Sequence, residues 1–147
     1  MSRLYRFIHL PIVEKWFFFQ ALYYLALYRL YLRISPLHGL VVGVSRKSRT
    51  LLSPFPSEIP VKRIARLLTV ASSCVPLSTC LSQALAGQIL FARHGRKTSL
   101  HLGVCNSADA GFEAHAWLCL DGAIVLGYLP DMNRYRELPF IPVEDGI

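Results

Sequence analysis

Two residues of this chain combine a reactive side chain with a local sequence that could activate it, Cys80 and His115. Cys80 follows Ser78-Thr79, either of which can cap a helix, and opens the run Cys80–Arg93. In that run Leu81, Ala84, Leu85, Gln88 and Phe91 fall on one face, and His94-Gly95 closes it with a glycine C-terminal cap. A cysteine in the first turn meets unpaired backbone N–H groups and the positive end of the helix dipole. Both favour the thiolate, which is the nucleophilic form. A backbone N–H of the same turn can also donate to an oxyanion. His115 lies in the strand-like run Ala114-His115-Ala116-Trp117. Singly, such a cysteine reads as a small buried hydrophobe and such a histidine as a structural strand residue. Together they describe a thiol on a helix N-terminus facing an imidazole on a neighbouring sheet, the arrangement that cysteine hydrolases use.

The other chemistry-bearing residues give less. Cys74, Cys105 and Cys119 form no CxxC pair with each other or with Cys80, and the histidines lack paired ligand spacing. No metal site and no cofactor are therefore expected.

The elements that must position the pair follow from pattern. After the Cys80 helix, 98–105 alternates, with Leu100, Leu102 and Val104 opposing His101 and Gly103. A polar loop over 106–111 leads to a second strand over 112–120. Asp121-Gly122 is a strong two-residue hairpin signal, and 123–129 forms the third strand up to Pro130. Upstream, Ser57 is a candidate cap for a helix whose Val61, Ile64, Ala65, Leu68 and Ala71 share a face. Residues 39–56 read as a connector, with Gly39, Gly43, Pro54, Pro56 and a basic Arg46-Lys47-Ser48-Arg49 cluster. Before it, 16–28 is apolar apart from Gln20 and extends to Ile34 through Arg29 and Arg33. The apolar part is short of the roughly 18 residues a membrane span requires. It reads as a helix buried on several sides, with a partner-binding or membrane-surface role as the lesser reading.

The chain has 147 residues, enough for one core, and carries a formal net charge of +7. Residues 1–66 hold eleven Lys and Arg against Glu14 and Glu58, whereas 67–147 hold five against seven acids. The basic front lacks aromatic-and-basic interleaving or a nucleic-acid motif, so nucleic acid is not an expected partner. Membrane contact is not expected either. No small-residue cleavage site follows the basic N-terminus, so no signal peptide is read and a reducing cytoplasm is expected.

Cys80-Leu81, Ala84-Leu85, Arg93-His94-Gly95, Leu102-Gly103-Val104, Ala114-His115-Ala116-Trp117 and Asp121-Gly122 together resemble the lasso-peptide leader peptidases. These are the B proteins of lasso-peptide biosynthesis, a branch of the transglutaminase-like superfamily, and the likeness runs from about residue 59 to 138. The resemblance implies an α+β fold, a papain/transglutaminase-like core in which the catalytic Cys sits at a helix N-terminus packed on a small antiparallel sheet, with N-terminal helices in front. Residues 1–56 would be the N-terminal helix and basic connector, and 57–147 the peptidase core.

The resemblance further implies a Cys-His-Asp triad with the acid on the strand after the hairpin. Pairing Leu120 with Ala123 sets His115 opposite Tyr128, and neither Gly127 nor Tyr128 supplies a carboxylate. Asp131, just past the strand, is the favoured third member, with Asp121 as the alternative. Asp121 sits roughly 20 Å along the strand from His115, and Glu113 roughly 7 Å away on the same face. A water or a backbone carbonyl could equally hold the ring.

The function implied is removal of the leader from a ribosomally made lasso-peptide precursor. Residues 1–56 are too few and too apolar to be the family's leader-recognition domain. The chain thus resembles the split form, whose partners are the precursor peptide, a separate recognition protein and an asparagine-synthetase-like cyclase. The same dyad also suits a transglutaminase-like acyl transferase or amidase. A non-catalytic scaffold docking maturation partners is the third reading.

Overall fold

The computed structural model describes residues 3–54 and 58–139. Among the described residues five helices precede a small antiparallel sheet: α1 Arg3–Ile8, α2 Ile12–Ile34, α3 Leu37–Thr50, α4 Val61–Cys74 and α5 Cys80–Arg93, then β1 Ser99–Ser107, β2 Gly111–Leu120, β3 Ala123–Leu126 and β4 Arg136–Glu137. The four strands lie in the order β3-β2-β1-β4. This is the expected α+β arrangement, a helix opened by Cys80 packed on an antiparallel sheet.

Helix α5 is the centre. Every residue from Ala84 to Ala92 is buried, because α2, α3 and α4 pack around it and the sheet covers the remaining side. Close approach to the sheet is made at Gly87. A Cβ there would lie 2.8 Å from Leu126 Cδ2, 2.9 Å from Leu118 Cδ1 and 3.0 Å from Leu68 Cδ2. The core runs without a break from Phe17, Ala21 and Leu25 of α2 through Leu68 and Leu85 to Leu118 and Leu126.

Three expectations change. Residues 37–50 form α3 and not a connector. Val41, Val44 and Ser48 recur at helical spacing and are buried, while Gly39 and Gly43 face open space, where they cost helix propensity without disturbing packing. The front helix is not buried on several sides. Phe17, Ala21, Tyr24, Leu25 and Tyr28 face the core, whereas Trp16, Tyr23 and Ile34 are 66%, 62% and 70% exposed. Helix α4 starts at Val61 behind Pro60, and the expected cap Ser57 lies outside the described residues.

Strand register defines two sheet faces. Leu100 pairs with Leu118 and Leu102 with Ala116, and these side chains point into the core. His101 pairs with Trp117 and Gly103 with His115, on the opposite face. The hairpin forms as its Asp-Gly sequence predicts, with Asp121 and Gly122 at φ 50° and 83°.

Replacing Gly87 by Val forces apolar atoms into three leucine side chains. It should cost about 1–3 kcal/mol, read as a lowered denaturant midpoint with an unchanged slope. His94 closes α5 with its ring 5.1 Å from that of Phe17. Burial, then the neighbouring Arg93, lowers its pKa from the ordinary 6.5. The unfolded chain therefore binds the proton more readily. This contribution to stability is complete above pH 6.5 and declines as pH falls toward the lowered value. Thermal unfolding between pH 7.5 and 5 should show that decline, and His94→Gln should flatten it.

Candidate active site

Cys80 is the first residue of α5, and the turn that carries it is closed by a capping box. The Thr79 hydroxyl accepts from the Ser82 N–H at 3.2 Å, and the Ser82 hydroxyl accepts from the Thr79 N–H at 2.9 Å. Ser82 is fully buried, so this box is fixed by packing as well as by hydrogen bonds. Cys80 itself is half-buried against the core edge, and all four cysteines are free.

His115 sits on the outer sheet face, half-buried, with its ring centroid 6.0 Å from Trp117 and 5.6 Å from Tyr135. Its Nε2 donates to the Gly127 carbonyl at 2.6 Å. A carbonyl oxygen only accepts, so Nε2 carries the proton and Nδ1 of the neutral ring is left as the acceptor. Gly127 takes φ 89°, and a Cβ there would meet the Ala116 oxygen at 2.9 Å, so a glycine is needed for the carbonyl to reach the ring.

The sequence pairs His115 with Tyr128, but the ladder does not extend that far. Leu120 pairs with Ala123 and Cys119 with Ile124, whereas Leu118 pairs with Leu126, so Val125 is an extra residue. β3 then ends, and among the described residues β2 has no strand partner on that side around His115. The chain turns at Gly127 and crosses the outer face, setting Tyr135 over Gly103, before β4 pairs with β1.

The candidate acids lie elsewhere. Asp131 holds Arg134 Nε at 2.6 Å, and the same guanidinium holds Glu113 at 2.7 Å. Asp121 is at the hairpin tip. Among the described residues the backbone carbonyl of Gly127, and none of these carboxylates, contacts the His115 ring nitrogens. Cys80 and His115 are carried by different layers, and no hydrogen bond joins them. Helix α5 packs on the core face of the sheet and His115 lies on the outer face, so this structure does not bring the thiol and the imidazole together as the sequence predicts.

The sequence offered no role for a second constellation. His101 Nδ1 bonds the Glu137 carboxylate and its Nε2 bonds the Ser99 hydroxyl at 3.0 Å, with the ring stacked on Trp117. All three residues line a cavity of about 700 Å³ that also takes in Gln88 and Lys97. It adjoins the C-terminal half of α5, about 12 Å along the helix from Cys80. The i, i+2 spacing of Ser99 and His101 on one strand face was the available signal, whereas two-residue β4 offered none. Cys119 lies on the same face, and burial followed by Glu137 raises its pKa, which disfavours the nucleophilic thiolate.

The family description "Transglutaminase-like superfamily" matches residues 21–139, from within α2 to beyond β4. No curated protein and no solved structure matches. Gly127→Ala should displace the carbonyl from His115 and lower turnover of whatever substrate the site accepts by roughly 10- to 1000-fold, within the cost of losing an orienting group in a triad. Asp131→Asn should change turnover less than about fivefold, because exposed ion pairs contribute little. Side-by-side turnover of the two variants checks the ranking.

Proposed function

Because the chain belongs to the transglutaminase-like superfamily, whose members are generally cysteine-based enzymes, we propose that it is a cysteine peptidase that removes the leader from a ribosomally made lasso-peptide precursor. One observation supports the chemistry most directly. Cys80 opens a capped helix in the chain that also fixes the His115 tautomer through Gly127, leaving Nδ1 as the base. The Cys80 sulfur attacks the carbonyl of the last leader residue. His115 takes the thiol proton through Nδ1 and returns it to the departing amine. Water then releases the leader from the thioester. The leader-specific part of the proposal rests on the sequence resemblance, as do the partners, a recognition protein and a cyclase; the cytoplasmic setting rests on the four free cysteines.

The same thioester serves an acyl transferase, and replacement of water by an added primary amine in the product would establish that alternative. A second nucleophile is favoured by the Ser99–His101–Glu137 relay, whose hydrogen-bond polarity suits a serine hydrolase. A thiol alkylator that abolishes cleavage with one equivalent on Cys80 supports the cysteine reading. A fluorophosphonate on Ser99 that does so supports the other.

Cys80→Ala should abolish leader removal with an unchanged circular dichroism spectrum, when assayed with the precursor and its recognition partner. Serine at position 74, 105 or 119 should leave at least partial activity. His115→Ala should cost several orders of magnitude, and adding it to Cys80→Ala should cause scarcely any further loss, because base and nucleophile act as a unit.

A further inference from the structure

Helix α2 leaves a long apolar stripe in solvent. Ile12, Trp16, Phe19, Tyr23, Leu30 and Ile34 recur at spacings of three, four or seven residues, which places them on one face, and each is more than half exposed. The stripe runs about 33 Å at the helical rise. Helix α1 adds exposed Leu4 and Ile8 and is tied to the start of α2 by Phe7, whose ring lies 5.3 Å from Phe18 and 5.9 Å from Phe19. Isolated surface hydrophobes need no explanation, but a contiguous face of this size marks a contact surface.

The charges around the stripe identify its occupant. Glu14 is the only acidic residue in 1–54, and it is bound by Arg63 at 2.8 Å. Arg6 and Arg33 are exposed on α1 and α2, and the same segment also carries Lys15, Arg29, Arg46, Lys47 and Arg49. A second copy would bring this positive charge against itself. A coiled-coil partner would be met by a narrow seam, but Val13 and Tyr31 widen the stripe beyond one row. A broad apolar face containing Trp, Phe and Tyr with arginines beside it matches a helix lying in the headgroup boundary of an anionic bilayer. No helix among the described residues is long and apolar enough to cross a membrane, and lying on one requires no span.

We propose that α1 and α2 dock the protein on an anionic lipid surface through this stripe, with α5 and the sheet held above it. The contact is independent of the proposed peptidase chemistry and is tested apart from it, on the Cys80→Ala protein. Flotation is measured with phosphatidylcholine vesicles with and without about one third phosphatidylglycerol. The protein should float with the anionic vesicles, with partition falling at least roughly tenfold on pure phosphatidylcholine or in molar salt. Trp16→Ser with Phe19→Ser should reduce flotation by at least about tenfold, because both apolar anchors are lost. Arg6→Glu with Arg33→Glu should weaken binding only to the anionic vesicles. These side chains are exposed, and circular dichroism confirms that the variants fold. Equal flotation of the Trp16/Phe19 variant and its parent would overturn the proposal. So would indifference to phosphatidylglycerol, or a protein that ignores vesicles and instead dimerises through the stripe or binds an acidic amphipathic peptide there.

Discussion

The structure depends on how closely α5 can approach the sheet. Gly87 removes the one side chain that would hold the helix away from Leu118 and Leu126. With that gap closed, nine consecutive helical residues are buried and three other helices can pack around them. A helix buried on all sides is fixed in rotation and translation. Its first residue, Cys80, is fixed with it. The placement of the thiol is thus a property of the core and not of a loop.

This explains how much could be read beforehand. The bounds of α5, its Thr79 cap and its Gly95 closure were legible because capping chemistry is local. The Asp121-Gly122 turn was legible for the same reason, since both residues must accept positive φ. The front half was harder to read. Glycines at 39 and 43 spoke against a helix, and the burial of Val41 and Val44 that overrides them is a tertiary fact. The exposed side of α2 was hidden because a sequence apolar all round does not say which side is covered.

The site divides similarly. The elements that carry Cys80 and His115 followed from pattern, but neither the sheet face of the imidazole nor the group that holds it did. One extra residue at Val125 breaks a register counted correctly from the turn, and a main-chain oxygen then occupies the position where a carboxylate was sought. No side-chain pattern advertises a carbonyl, although the glycine that allows its approach is visible in the sequence. The Ser99–His101–Glu137 relay was missed because its acid arrives on a strand of two residues.

The segment that follows β3 belongs to a different stability class from the rest. None of its residues from Gly127 to Pro139 is buried, and it is fastened by solvent-facing ion pairs, two ladder positions and the bond from His115. Regions with so few buried contacts open by local unfolding at a small fraction of the global free energy. Detachment of this strap would release the His115 ring and uncover Trp117 while α5 and its cap stayed intact. His115 would then be the part of the candidate site in dynamic exchange and Cys80 its static reference, so amides of the strap would lose protection from solvent exchange long before those of α5.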